Sequence, residues 1–170
     1  RRLVNEDEIL AAITSTYGAT VNMRVVDFAE LTMREQVRAT WESDVFSGLH
    51  GAGYGNVLWL RPKSAVVEIL PIGWAPGLYA NLARLLGSTF LAWMNPYPQM
   101  QQDFGGKGIN LSIAWPTLQP TMDEAIEAAR RRRVPATNFA LDWAGVTRPY
   151  HGPPPTNHPG WHQVSQERDW

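Results

Sequence analysis

Cysteine is absent from all 170 residues. Disulfide frameworks, zinc ribbons and thiol chemistry are therefore excluded, although the compartment is not fixed by that absence. No apolar run reaches the roughly 18 residues of a spanning helix, so none is expected in this segment. A basic excess is lacking too. The 15 Lys and Arg are balanced by 16 Asp and Glu, for a formal charge of −1. That argues against a general nucleic-acid binder, yet a single phosphate-bearing ligand needs only one or two local cations. There is no signal peptide, and the chain opens on Arg1-Arg2 rather than Met, which reads as a cut with any targeting segment upstream. What is present is globular: 44% hydrophobic and 18% charged residues, in a length that suits one domain with a real core.

The first two-thirds alternates helical and strand signals. Asn5 and Glu8 stand in capping-box relation, Ile9, Ile13 and Tyr17 recur on one helical face, and Gly18 is a natural stop. Val21–Val26 reads as a strand. A second box at Thr32–Glu35 starts a helix to about Ser43. Strands are expected at Asp44–Leu49, Ser64–Leu70 and Thr89–Trp93, with helices at Tyr54–Leu60 and Leu78–Leu86. This order implies βαβ units, a Rossmann-like parallel sheet with flanking helices, and ligand binding beyond the carboxyl ends of the strands. Beyond Asn95 the pattern weakens, and residues 96–120 are rich in Pro, Gly and Gln. A third capping box at Thr121–Glu124 predicts a helix to Arg133. The domain is taken as residues 1–133, with 134–170 a Pro-rich irregular tail. There is no internal repeat.

The strongest chemical signal is His50-Gly51-Ala52-Gly53-Tyr54-Gly55-Asn56, between a strand and an expected helix. Glycines let backbone amides approach an anion closely, and a following helix N-terminus adds partial positive charge. The alternative is a tight turn with no ligand. His50, at the mouth of such a loop, could donate to a phosphate oxygen or steady a leaving group. Glu68, near the end of the next strand, stands where a carboxylate commonly accepts from ribose hydroxyls; otherwise it is an exposed strand-end charge. Arg1, ahead of the first helix, could reach a diphosphate with a bidentate fork or be a solvated terminal charge.

Five segments then carry a resemblance: Arg1–Glu8, Val25–Phe28, Asp44–Gly53, Ala65–Pro71 and Tyr79–Arg84, in that order. Together they resemble glycosyltransferase family 61 over residues 1 to about 95. The resemblance implies the C-terminal half of a two-domain, inverting GT-B enzyme that holds a UDP-sugar. By that pattern Arg1 and the loop Gly51–Gly53 face the diphosphate, His50 stands beside them, and Glu68 serves the ribose. Asn5 and Glu6 match the family's Asn-Glu pair, read here as helix capping. The family usually continues the loop with Leu and then Thr or Ser, whereas this chain has Tyr54-Gly55, so Gly55 removes a possible hydroxyl contact and puts donor competence in question. The family's first sheet strand and its N-terminal domain are expected upstream.

The expected function is transfer of GlcNAc or a pentose from a UDP-sugar to a protein or glycan hydroxyl. No tightly bound cofactor is expected, and a divalent metal is left open. Eukaryotic members of the family are lumenal, in the endoplasmic reticulum or Golgi. Two alternatives remain. A dinucleotide-binding oxidoreductase would need a third fingerprint glycine where Asn56 stands. A pseudoenzyme or interaction fragment is allowed by Tyr54-Gly55. Arg130–Arg133 reads as a solvated face, and His158 and His162 are rejected as metal ligands because Pro159-Gly160 lies between them.

Overall fold

The computed structural model describes residues 2–74, 77–103 and 109–131. Arg1, Arg132, Arg133 and the tail 134–170 lie outside the described residues, as do His158 and His162. The fold is α/β, with two small sheets and flanking helices. Strands β2 (Val45–Leu49), β3 (Ala65–Leu70) and β4 (Thr89–Met94) form a parallel sheet with β3 in the centre. Strands β1 (Arg2–Leu3) and β6 (Ile109–Leu111) pair in parallel, and β5 (Gln101–Asp103) adds antiparallel to β6.

Every residue of β3 is buried, as expected of a central parallel strand covered on both faces. Its alternation divides the core. Ala65, Val67 and Ile69 pack with α1 (Glu6–Tyr17) and α4 (Trp115–Arg131) through Ile9, Leu118, Met122 and Ile126. Val66 faces the other way, onto Tyr54 and Val57 of the 3-10 segment Ala52–Trp59, Leu60 just after it, and Ala83 of α3 (Leu78–Leu85). Helices on both faces of a parallel sheet make the layering Rossmann-like.

Three expectations change. Val21–Val26 is not a strand: its residues are mostly exposed and Arg24 is drawn sideways, donating to Ala39 O at 2.8 Å and to Glu42 at 3.2 Å. With no neighbouring strand, β propensity has nothing to pair with. Tyr54–Leu60 forms a 3-10 segment over Ala52–Trp59 rather than an α-helix, in keeping with Gly53, Gly55 and Asn56, all poor helix formers. Finally, α4 starts at Trp115, so Thr121 caps nothing and Pro120 sits inside the helix. The stretch where the sequence pattern weakens thus supplies β5, β6 and the first turns of α4.

Asn5 also departs from its expected role. No side-chain cap bond forms at the start of α1. Instead Asn5 Oδ1 accepts from Ile113 N at 3.0 Å and Nδ2 donates to Ile113 O at 2.9 Å. The side chain thus stands in for a strand neighbour and satisfies both main-chain groups of a residue that is 1% exposed. Tyr17 closes the far end of α1 by donating to Asp123 on α4 at 2.6 Å. Burial, and then that carboxylate, push the phenol well above its usual range. Asn5→Ala should cost about 1–3 kcal/mol, the penalty of leaving buried main-chain groups unpaired. Urea denaturation with an unchanged m-value would read it; an unchanged midpoint would show that water replaces the amide.

Candidate functional site

The site is built by register. Gly48 on β2 lies opposite Glu68 on β3, and His50 N extends the ladder by donating to Ile69 O at 2.9 Å. Because strand side chains alternate with period two, Gly48, His50, Val66 and Glu68 share one face. On that face His50 Nδ1 meets Glu68 Oε1. Gly48 has no side chain, which leaves room for Tyr54: its hydroxyl lies 2.6 Å from both Gly48 O and Val67 O and donates its proton across the β2–β3 seam.

Above the pair stands a group of rings. The His50 centroid is 4.9 Å from Trp74 and 5.5 Å from Tyr79, and Tyr79 is 5.2 Å from Tyr54. Trp74 follows the end of β3 and Tyr79 opens α3, so all four come together at the carboxyl end of the parallel sheet, where such folds bind ligands. Trp74 and Tyr79 were not singled out from sequence. Two aromatics in the segment that follows the end of β3 are the signal that was available.

The sequence-predicted residues fall as follows. His50 is partly buried, its side chain 21% exposed. Gly51, Ala52, Gly53 and Gly55 lie at the surface beside it, with Ala52, Gly53 and Gly55 exposed. Gly51 is extended and no glycine of this loop has a left-handed φ; among the described residues that conformation is confined to Gly73, Gly87 and Lys63. The loop glycines therefore keep the surface bare rather than turn the chain, and a Cβ at Gly55 would meet nothing within 4 Å. The first bond of the 3-10 segment is Tyr54 N to Gly51 O at 3.0 Å, so the amides of Ala52 and Gly53 precede it and donate none within the segment. Asn56 is buried and donates back to Gly53 O at 3.2 Å. A dinucleotide fingerprint asks for glycine there and an α-helix after it, and neither is present.

Glu68 is not at the surface. Its residue is 0% exposed, and Oε2 has no hydrogen-bond partner. Burial raises its carboxyl above the ordinary 4.5, while the bond and charge of His50 pull the other way. A carboxylate so placed meets His50 and is not exposed at the strand end. The same burial, followed by the charge of Glu68, pushes Tyr54 well above its normal range, so its hydroxyl stays protonated.

The raised Glu68 carboxyl has a stability consequence of definite sign. A folded-state value above the unfolded one contributes stability that is full below about pH 4.5 and is lost as pH rises through the folded value. Exposed Glu35 and Glu42 act oppositely, lowered chiefly by the Thr32 and Arg38 hydrogen bonds respectively. A difference measurement cancels them. Melting temperatures of wild type and Glu68→Gln, followed from pH 4 to 8, should diverge, with wild type losing ground as pH rises. Parallel curves would mean that the carboxyl titrates normally.

A groove of about 490 Å³ lies elsewhere, between residues 24–31 and α2 (Met33–Trp41). Its arginines, Arg24 and Arg38, both bind Glu42, at 3.2 and 2.8 Å, and Asp27, Glu30 and Glu35 also line it, so the groove is acidic on balance. Among the described residues no group of three or more His, Asp or Glu is placed to hold a metal ion, and no helix is long and apolar enough to cross a membrane.

Comparison with known proteins bears on the same segment. Residues 1–67 match the family described as Glycosyltransferase 61. The chain is similar to glycosyltransferase family 61. That match takes in Asn5, His50 and the whole loop and stops one residue short of Glu68. Beyond the family model, the chain is 36% identical to the EGF domain-specific O-linked N-acetylglucosamine transferase of Mus musculus over 107 residues, which is 62% of this chain and 20% of the mouse protein. The Gallus gallus protein of the same name is also 36% identical, over 62% of this chain and 19% of its own length. The Drosophila melanogaster protein is 30% identical over 58% and 19%. The chain thus spans about a fifth of the length of these relatives.

Proposed function

We propose that this chain supplies the donor-binding half of a glycosyltransferase. It holds a UDP-sugar, either UDP-GlcNAc or a UDP-pentose, whose sugar passes with inversion to a hydroxyl of a protein or glycan acceptor. The acceptor oxygen attacks C1, the C1–O bond to the diphosphate breaks, and UDP leaves carrying the negative charge. One observation carries the reading: His50 and the bare loop 51–55 stand together at the carboxyl end of a parallel sheet, within the segment similar to family 61.

In this scheme the amides of Ala52 and Gly53 and the imidazole of His50 meet the diphosphate, and Trp74 and Tyr79 wall the adjoining space. Donors aimed at developing charge are the most effective stabilisers of such a transition state. Arg1 would add a bidentate contact. The acceptor is held by a second domain of the same polypeptide, and the working compartment is the lumen of the endoplasmic reticulum or Golgi. The fit of a divalent metal to these residues is poor, since the pair His50–Glu68 offers one buried carboxylate and no third ligand among the described residues.

Calorimetric titration of UDP, with NAD as the control, tests the reading. Binding of UDP and not of NAD supports it. A folded protein that binds neither, or NAD alone, removes it.

A further inference from the structure

Glu68 is the observation that nucleotide binding leaves unexplained. A buried carboxylate with one oxygen unpartnered is costly, and it lies behind His50 rather than beside a ligand. We propose that His50 and Glu68 act as one proton-linked unit that takes up a proton from solvent when a diphosphate binds at the loop. This rests on the donor-site reading above and deepens it.

The argument is one of charge. With no ionisable proton the pair is neutral imidazole and carboxylate, net −1; with one it is net zero; with two it is net +1. Glu68 Oε1 and His50 Nδ1 are in hydrogen-bond contact, so a proton gained by either changes the charge of the pair as a whole. A dianionic diphosphate beside His50 disfavours the net −1 form and draws a proton onto the pair. Among the described residues, the titratable groups facing the pair are Tyr54, from the 3-10 segment, and Tyr79, from α3. Tyr54 stays neutral and its proton is committed to the strand carbonyls. Burial of Glu68, which penalises its charged form, makes the uptake easier. Glu68 is thus a positioning residue: it acts on the ligand only through His50.

The experiment is calorimetric titration of the folded chain with UDP, and separately with inorganic pyrophosphate, near pH 8 in buffers of different ionisation enthalpy. The slope of heat against buffer enthalpy gives protons taken up per ligand. We expect up to one proton in wild type, with affinity weakening by up to about tenfold per pH unit as linkage requires. The variant Glu68→Gln removes the buried negative charge without touching the ligand and should bind with less uptake and a flatter pH profile. If it fails to fold, wild type decides alone: uptake must fall away as pH is lowered and the pair fills with protons, after subtraction of the free ligand's own titration. UDP binding without uptake overturns the inference and leaves the donor site standing. Pyrophosphate binding with uptake, but no preference for UDP, upholds the inference and removes the nucleotide reading. Failure to bind either ligand removes both.

Discussion

His50→Ala should lower glycosyl transfer by the polypeptide that carries this domain by about 100- to 1000-fold, corresponding to about 2.7–4 kcal/mol for one donor to a developing anion. The physical basis is position. His50 stands at the end of β2 with its backbone fixed by the bond to Ile69 O and its ring fixed by Glu68. The loss should fall on kcat more than on KM, because the charge it meets grows as the diphosphate departs. Folding should suffer much less, since the ring is partly exposed and ends a strand rather than filling the core. Steady-state kinetics alongside thermal melts separate the two. Unchanged turnover would remove His50 from the chemistry. A melt that collapses with activity would make it a structural residue.

The second large effect is expected at Tyr54, and it is one of stability. The side chain is 2% exposed, packs edge-on against Phe46 at 5.3 Å and beside Tyr79, and its hydroxyl joins carbonyls of two strands. Tyr54→Ala removes an aromatic core residue and should cost about 3–5 kcal/mol. Against a total stability of about 5–15 kcal/mol for a domain, that leaves little. Tyr54→Phe deletes only the hydroxyl and should cost about 1–3 kcal/mol through the carbonyls it abandons. Denaturant unfolding of both variants measures the split. Equal losses would assign the whole contribution to the ring and none to the seam.

These residues illustrate what was readable beforehand. The three parallel strands, α1, α2 and α3 follow from apolar runs and caps, and His50 from its place before a glycine loop. Tyr54 was legible only as a departure from a family pattern. Its task depends on Gly48 lying opposite Glu68, a matter of register that no local pattern encodes. Glu68 was noticed for the right position and the wrong surroundings. A carboxylate in a strand reads as exposed on general grounds, and only the packing of Tyr54 and α3 over that face buries it. The strand expected at Val21–Val26 failed for want of a partner, and Asn5 was read as a cap because its true partner, Ile113, lies 108 residues away. Long-range pairing was the common omission.

That separation bears on how the chain is made. A ribosome delivers α1 well before α4 and the strand leading into Ile113, so the stripe of Ile9, Ile13 and Tyr17 is incompletely covered until they emerge. Until those later segments arrive, α1 therefore carries an adhesive face, the kind of surface that chaperones hold. Its docking is also among the last and entropically most demanding closures, since the enclosed loop is over 100 residues long. A release or pause before Ile113 would leave a half-sheet with its first helix undocked, and quality control would meet the protein in that form.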